Sequence, residues 1–173
     1  MSVRDLPRWF ELSDGTNSYR ASLYEALKYQ ESIEWIRGGE VINMMDGGAI
    51  YEENWAKRSV TISGSGGMPL GIYNLDFSLP ITLKCGTPRT VTSATNSFVL
   101  PTNRTDTGYT PVTLKEVEGV WVPLTASGTP TRYMVVYYPV ITAFFTRPTN
   151  NYQWDDPMPA SWSLSGIETT AGA

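Results

Sequence analysis

The sequence predicts an all-β protein, a single-domain barrel or sandwich with long loops, and three observations predict it. From Tyr19 to Trp35 apolar residues recur mostly at every second position, the period of a strand with one buried face. Twelve prolines and fifteen glycines cut the chain into short segments. Between those breaks lie β-branched and aromatic runs, above all Tyr133 to Phe145. At 173 residues the chain is long enough for one sizeable core, so residues 1–173 are read as one domain.

In order, the first long strand is Tyr19 to Trp35, with Tyr19, Ala21, Leu23, Glu25, Leu27, Tyr29, Glu31, Ile33 and Trp35, mostly apolar, on one side and Arg20, Ser22, Lys28, Gln30 and Ser32 on the other. A helix from Ser22 to Ile36 competes, because Leu23, Ala26, Leu27 and Ile33 also fall roughly on one helical face. Gly38-Gly39 and Asp46-Gly47-Gly48 read as hairpin turns, since glycine reaches the positive φ of tight reversals, which makes residues 19–63 a meander. Further strands are expected at Leu79 to Lys84, Ser97 to Leu100, Val112 to Glu116, Val120 to Leu124, Tyr133 to Phe145 and Ser161 to Ile167. Within the first of these, Ile81, Leu83 and Cys85 share a face, which predicts a buried thiol. Thr169 to Ala173 reads as a loose tail.

Charge and composition narrow the function. Thirteen basic against seventeen acidic residues leave a net charge of −4, so no bulk positive field gathers nucleic acid or an anionic membrane. Cys85 is the only cysteine, which excludes an internal disulfide and fits folding inside a cell. The N-terminal stretch MSVRDLPRWFELSDG lacks a continuous apolar core, and no apolar run is long enough to span a bilayer, so neither an export signal nor membrane insertion is expected. The chain has no histidine. That removes the commonest general base and the commonest metal ligand, and it argues against triad hydrolysis and zinc or iron–sulfur sites. Glu52-Glu53 and Asp155-Asp156 lack the spaced carboxylate ladder that wraps calcium. A hydrolase working through paired acids among Glu52, Asp76, Asp106 and Asp155 stays as a third class. No catalytic residue, cofactor or metal is expected.

The segment SGSGGMPLG, from Ser63 to Gly71, is the most distinctive local feature. It lacks the Lys-Ser/Thr pair of a phosphate-binding loop and leads into a proline-containing loop rather than a helix. Ser65 has no visible base to activate it. Asn103-Arg104-Thr105 matches the glycosylation triplet without a secretion signal beside it. The reading that survives is structural: Gly64, Ser65, Gly66, Gly67 and Met68, together with Asp46, Gly47 and Gly48, are candidate assembly loops. Six tryptophans and ten tyrosines exceed what a small core needs, and these are the residue types enriched in buried interfaces.

Taken in order, the early strand, MMDGGAIYEENWAKRSVTISGSGGMPLGIYNLD, PITLKCGTPRTV, RYMVVYYPVITAFF and the late ASWSLSGIE resemble structural proteins of long-tailed bacteriophages, closest to the tail-tip or distal-tail group with tail-tube proteins next. In that likeness Asp46-Gly47 followed by Trp55-Ala56-Lys57-Arg58 is the hairpin entering the first sheet, and Trp162-Ser163-Leu164 is the closing strand. The resemblance implies a virion protein made in the host cytoplasm. It would form a ring with copies of itself, usually six-fold, contact neighbouring tail proteins, and let DNA pass through the channel without binding it. It implies no catalytic residues. An acidic protein suits such a conduit, because each neutralising cation would add affinity that slows sliding. The competing class is a carbohydrate- or receptor-binding β module, equally rich in aromatics.

Overall fold

The computed structural model describes residues 9–21, 29–44, 48–65, 69–151 and 161–169. The strands are β1 (Glu11–Ser13), β2 (Ser18–Arg20), β3 (Tyr29–Asn43), β4 (Ala49–Ser65), β5 (Ile81–Lys84), β6 (Arg89–Ser93), β7 (Val112–Val117), β8 (Val120–Pro123), β9 (Arg132–Tyr137), β10 (Val140–Phe145), β11 (Thr149–Asn151) and β12 (Ser161–Glu168). A single helical turn, α1 (Leu70–Tyr73), follows Pro69. The all-β prediction holds. Two antiparallel sheets form, one in the order β2-β1-β5-β10-β12-β4-β3 with β11 also on β12, the other β6-β9-β7-β8, and neither closes into a barrel among the described residues.

The chain divides into two compact units, one of residues 1–12, 20–27 and 83–141, the other of 13–19, 28–82 and 142–173. In the first, the β7–β8 hairpin turns on Glu118 and Gly119, both at positive φ (52° and 80°), and Val117 faces Val120 across the turn. That primed two-residue turn matches the right-handed twist of the strands it joins. The core of this unit takes in Phe10, Leu12, Leu83, Cys85, Tyr109, Val135, Tyr137 and Ile141. Amid it lies Arg104, 1% exposed, its guanidinium 4.0 Å from the Trp9 ring centroid and 3.3 Å from that of Tyr109. Its Nη1 donates to the carbonyls of Trp9 (3.0 Å) and Cys85 (3.1 Å), its Nε donates to Asp106 (3.0 Å), and Nη2 pairs with the same carboxylate. A buried cation is tolerable only when its donors are satisfied in this way.

The second unit is built on β4 and β12, which pair from Ser65↔Ser161 to Ser59↔Ile167. Alternation along β12 sends Trp162, Leu164, Gly166 and Glu168 inward and leaves Ser161, Ser165 and Ile167 exposed. Val60 and Ile62 of β4 meet that inward side, as do Ala143 and Phe145 of β10, which pair with Glu168 and Gly166. β3 lies along the other edge of β4 for its whole length.

Several sequence expectations change. Gly38-Gly39 is not a turn. It lies inside β3 at a bulge, and the two long strands reverse only at residues 44–48. Ser97 to Leu100 forms no strand, while Arg89–Ser93 does, at the edge of its sheet. The run Tyr133 to Phe145 is broken after Tyr137, because Pro139 has no N–H to give a ladder; its carbonyl accepts from Cys85 N–H instead (3.0 Å). Residues 29–36 are strand rather than helix, and residues 22–28 of that ambiguous stretch lie outside the described residues. The segment after Met68 holds one helical turn, not only a loop, with Pro69 at its N-cap accepting the Ile72 N–H at its carbonyl (3.1 Å). Thr169 is tied down, donating from its N–H to the Thr142 carbonyl (3.0 Å); the rest of the expected tail lies outside the described residues.

Candidate functional site

β12 pairs with β4 no further than Ser59, so the portion of β4 before Ser59 has β3 as its only strand partner among the described residues. Residues 35–43 and 49–58 are therefore a two-stranded arm. Where the arm leaves the sheet, the Glu168 carboxylate takes over from the missing ladder: it accepts the Arg58 backbone N–H (3.0 Å) and grips the Arg58 guanidinium through Nε and Nη2. Burial pushes the Glu168 carboxyl up, but the Arg58 side chain and N–H outweigh it and hold the group below the usual carboxylate range. The pair clamps the base of the arm.

Along the arm, cross-strand partners share a face. One face carries Ile36↔Lys57, Gly38↔Trp55, Glu40↔Glu52 and Ile42↔Ile50; the other carries Trp35↔Arg58, Arg37↔Ala56 and Val41. The register shift after Gly38 leaves Asn54 as the extra residue and lets both faces keep their alternation past the bulge. Gly38 has a packing reason to be glycine: a Cβ there would come within 2.1 Å of the Trp55 indole, which lies across it. At the tip, Met44 N–H donates to the Gly48 carbonyl (2.7 Å).

The arm is apolar where water meets it. Trp35, Val41, Ile42, Met44, Ile50 and Trp55 are each 45–57% exposed, six of the fifteen exposed large apolar side chains among the described residues. A lone ribbon with that surface is poorly stable by itself, and an unpartnered apolar strand pair is a surface prepared for pairing with another chain.

The candidates from the sequence fare unevenly. Gly64 and Ser65, expected in a loop, are the last residues of β4, paired with Trp162 and Ser161. Gly64 lies beneath the Trp162 indole, where a Cβ would come within 2.6 Å, so packing explains it. Gly48 closes the arm hairpin and is exposed. Gly66, Gly67, Met68, Asp46 and Gly47 lie outside the described residues. The sequence does not disclose the arm itself, because Gly38-Gly39 reads as a reversal and so cuts β3 in two. The signal was present: apolar Val41-Ile42 and Ile50-Tyr51 flank the Asp46-Gly47-Gly48 turn symmetrically.

Among the described residues no cluster of three or more His, Cys, Asp or Glu side chains is placed to hold a metal, and no helix is long and apolar enough to cross a membrane. Comparison with models of known protein families gives no match, and comparison with curated proteins gives none either.

Proposed function

We propose that this chain is a structural subunit of a bacteriophage tail, a tail-tip or distal-tail component that joins copies of itself in a ring around the DNA channel and contacts neighbouring tail proteins. One observation carries the reading: the β3–β4 arm extends past the sheet and holds six large apolar side chains half in water. At roughly 1.5–3 kcal/mol for each such side chain fully buried, association through the arm recovers several kcal/mol, enough to offset part of the cost of docking. The order of segments that resembles phage tail proteins supports the setting, and the net charge of −4 suits a conduit that DNA passes without adhering.

The test is the oligomeric state of the full chain at high concentration, by sedimentation and electron microscopy, beside a variant carrying Ile42→Ser, Ile50→Ser and Trp55→Ser. Rings are expected from the wild type. The variant is expected to stay monomeric with an unchanged far-UV spectrum, since the altered side chains are exposed. Long tubes instead of rings would move the assignment to a tail-tube repeat unit. A wild-type chain that remains a single copy and binds glycans would replace the reading with a carbohydrate- or receptor-binding module.

A further inference from the structure

β12 and β4 part at a defined register position. Their ladder runs through Gly166↔Val60 and Ile167↔Ser59, and the next pair in that register is Glu168↔Arg58. The backbone does not make it. β12 stays with β10 there, through Ala143↔Glu168 and through the Thr169 N–H and hydroxyl, which both donate to the Thr142 carbonyl (3.0 and 3.2 Å), while β4 continues into the arm. The Glu168 side chain fills the fork. Its Oε2 accepts the Arg58 N–H at 3.0 Å, the donor that a β12 carbonyl would otherwise take, and the Arg58 guanidinium holds the same carboxylate through Nε (3.0 Å) and Nη2.

The grip is placed where it acts most strongly. Arg58 shares the inward side of β4 with Val60 and Ile62, and the two charged side chains are 13% and 5% exposed, so water does little to weaken their bonds. One strand further on, Trp35, the β3 partner of Arg58, is already 56% exposed. The buried side of the sheet therefore ends at this ion pair. Beyond it the arm is a two-stranded ribbon, and such ribbons twist more strongly and over a wider range than the sheets they leave. Pairing of β3 with β4 does not by itself fix the angle of departure. A tie from the sheet to the arm does, and Glu168 is held by β10 on one side and grips the first arm residue of β4 on the other.

We propose that Glu168 is the positioning residue of the arm: it pins Arg58 in place of the missing ladder pair and so sets the direction in which the arm leaves the sheet. The pin stands on the fork geometry alone; its consequence for association rests on the assembly reading above. A ribbon held in one direction before contact has less freedom to lose on docking, so the pin favours association from a distance. Glu168 itself is 4% exposed and offers no surface to a partner.

The arm's direction is measured on the full chain with nitroxide labels at Glu52→Cys in the arm and Ser165→Cys in the sheet, both exposed positions, by pulsed electron–electron resonance with the labelled chain diluted in unlabelled chain. Cys85 is fully buried and stays unlabelled in the native protein. The labelled parent is expected to give one narrow distance distribution and Glu168→Ala a broad one. Glu168→Gln, which keeps an acceptor for the Arg58 N–H but loses the charge, and Arg58→Ala, which keeps the N–H but loses the guanidinium, are expected to fall between. A parent that is already broad, or a Glu168→Ala protein as narrow as the parent with only its unfolding midpoint lowered, would overturn the proposal. If Glu168→Ala does not fold, the other two variants decide it, and narrow distributions in both would overturn it. Sedimentation of the same variants without labels is expected to show association weakened about tenfold in Glu168→Ala. A broadened arm with association unweakened, or a wild type that never associates, would leave the pin standing and overturn the assembly reading.

Discussion

Asp14 shows how much one exposed carboxylate can organise. Its oxygens accept backbone N–H groups from Asn17 (2.6 Å), Thr16 (2.8 Å) and Asp76 (2.9 Å), tying the β1–β2 turn to the segment after α1. Those donors, Asn17 foremost and then Asp76 and Thr16, hold the carboxyl far below the usual carboxylate range. A depressed folded-state value means the bonds stabilise the protein while the unfolded chain is also ionised. That contribution is lost as pH falls below the ordinary aspartate value of about 4. The thermal unfolding midpoint should therefore drop on acidification through that range, and Asp14→Asn should lower it at neutral pH while flattening the acid limb. An Asp14→Asn protein with an unaltered acid limb would count against this account. Asp14 was invisible to sequence reading as anything beyond a turn residue, because two of its three donors are local but the third is 62 positions away.

At the scale of elements, the sheets use one device repeatedly: a glycine whose cross-strand neighbour is a large aromatic. Gly38↔Trp55, Gly64↔Trp162 and Gly166↔Phe145 are each direct partners, and in each a Cβ would come within 2.1–2.6 Å of the facing ring. The ring covers backbone that glycine would otherwise leave bare, and glycine makes the space the ring needs. The consequence differs with burial. Trp162 is 5% exposed and has nowhere to go, so Gly64→Ala should cost about 1–3 kcal/mol of stability by overpacking. Trp55 is 45% exposed and can swing into water, so Gly38→Ala should leave the unfolding midpoint nearly unchanged while weakening assembly. Denaturant unfolding of the two variants side by side checks the contrast; equal destabilisation would refute it. These glycines were legible as special in the sequence, but as turns and loops. Which aromatic covers which glycine depends on register, and register between distant strands is set by the whole hydrophobic pattern.

For the molecule as a whole, Cys85 offers a probe. It is fully buried beside Ile81 and Leu83 on the inward face of its strand, as the alternation in the sequence predicts, and its carbonyl is held by Arg104. Its thiol should therefore react with a labelling reagent only when its own unit opens. Labelling rates measured in increasing denaturant should rise in step with the unfolding of that unit. Rapid labelling of the native protein would contradict the burial.

Period-two alternation and the density of glycine and proline are local properties, and from them the sequence alone determined an all-β chain, the inward face of β5 and most strands after residue 80. Burying a face selects that period whatever the partner strand turns out to be. Tertiary structure decided the rest. It decided that β4 outruns β12, so that an arm of two strands leaves the sheet; that Arg104, read only as part of a glycosylation triplet, is the cation at the centre of a core; and that Glu40 opposes Glu52. Each depends on which distant parts of the chain are brought together, and that is a sum over long-range contacts that no single segment encodes.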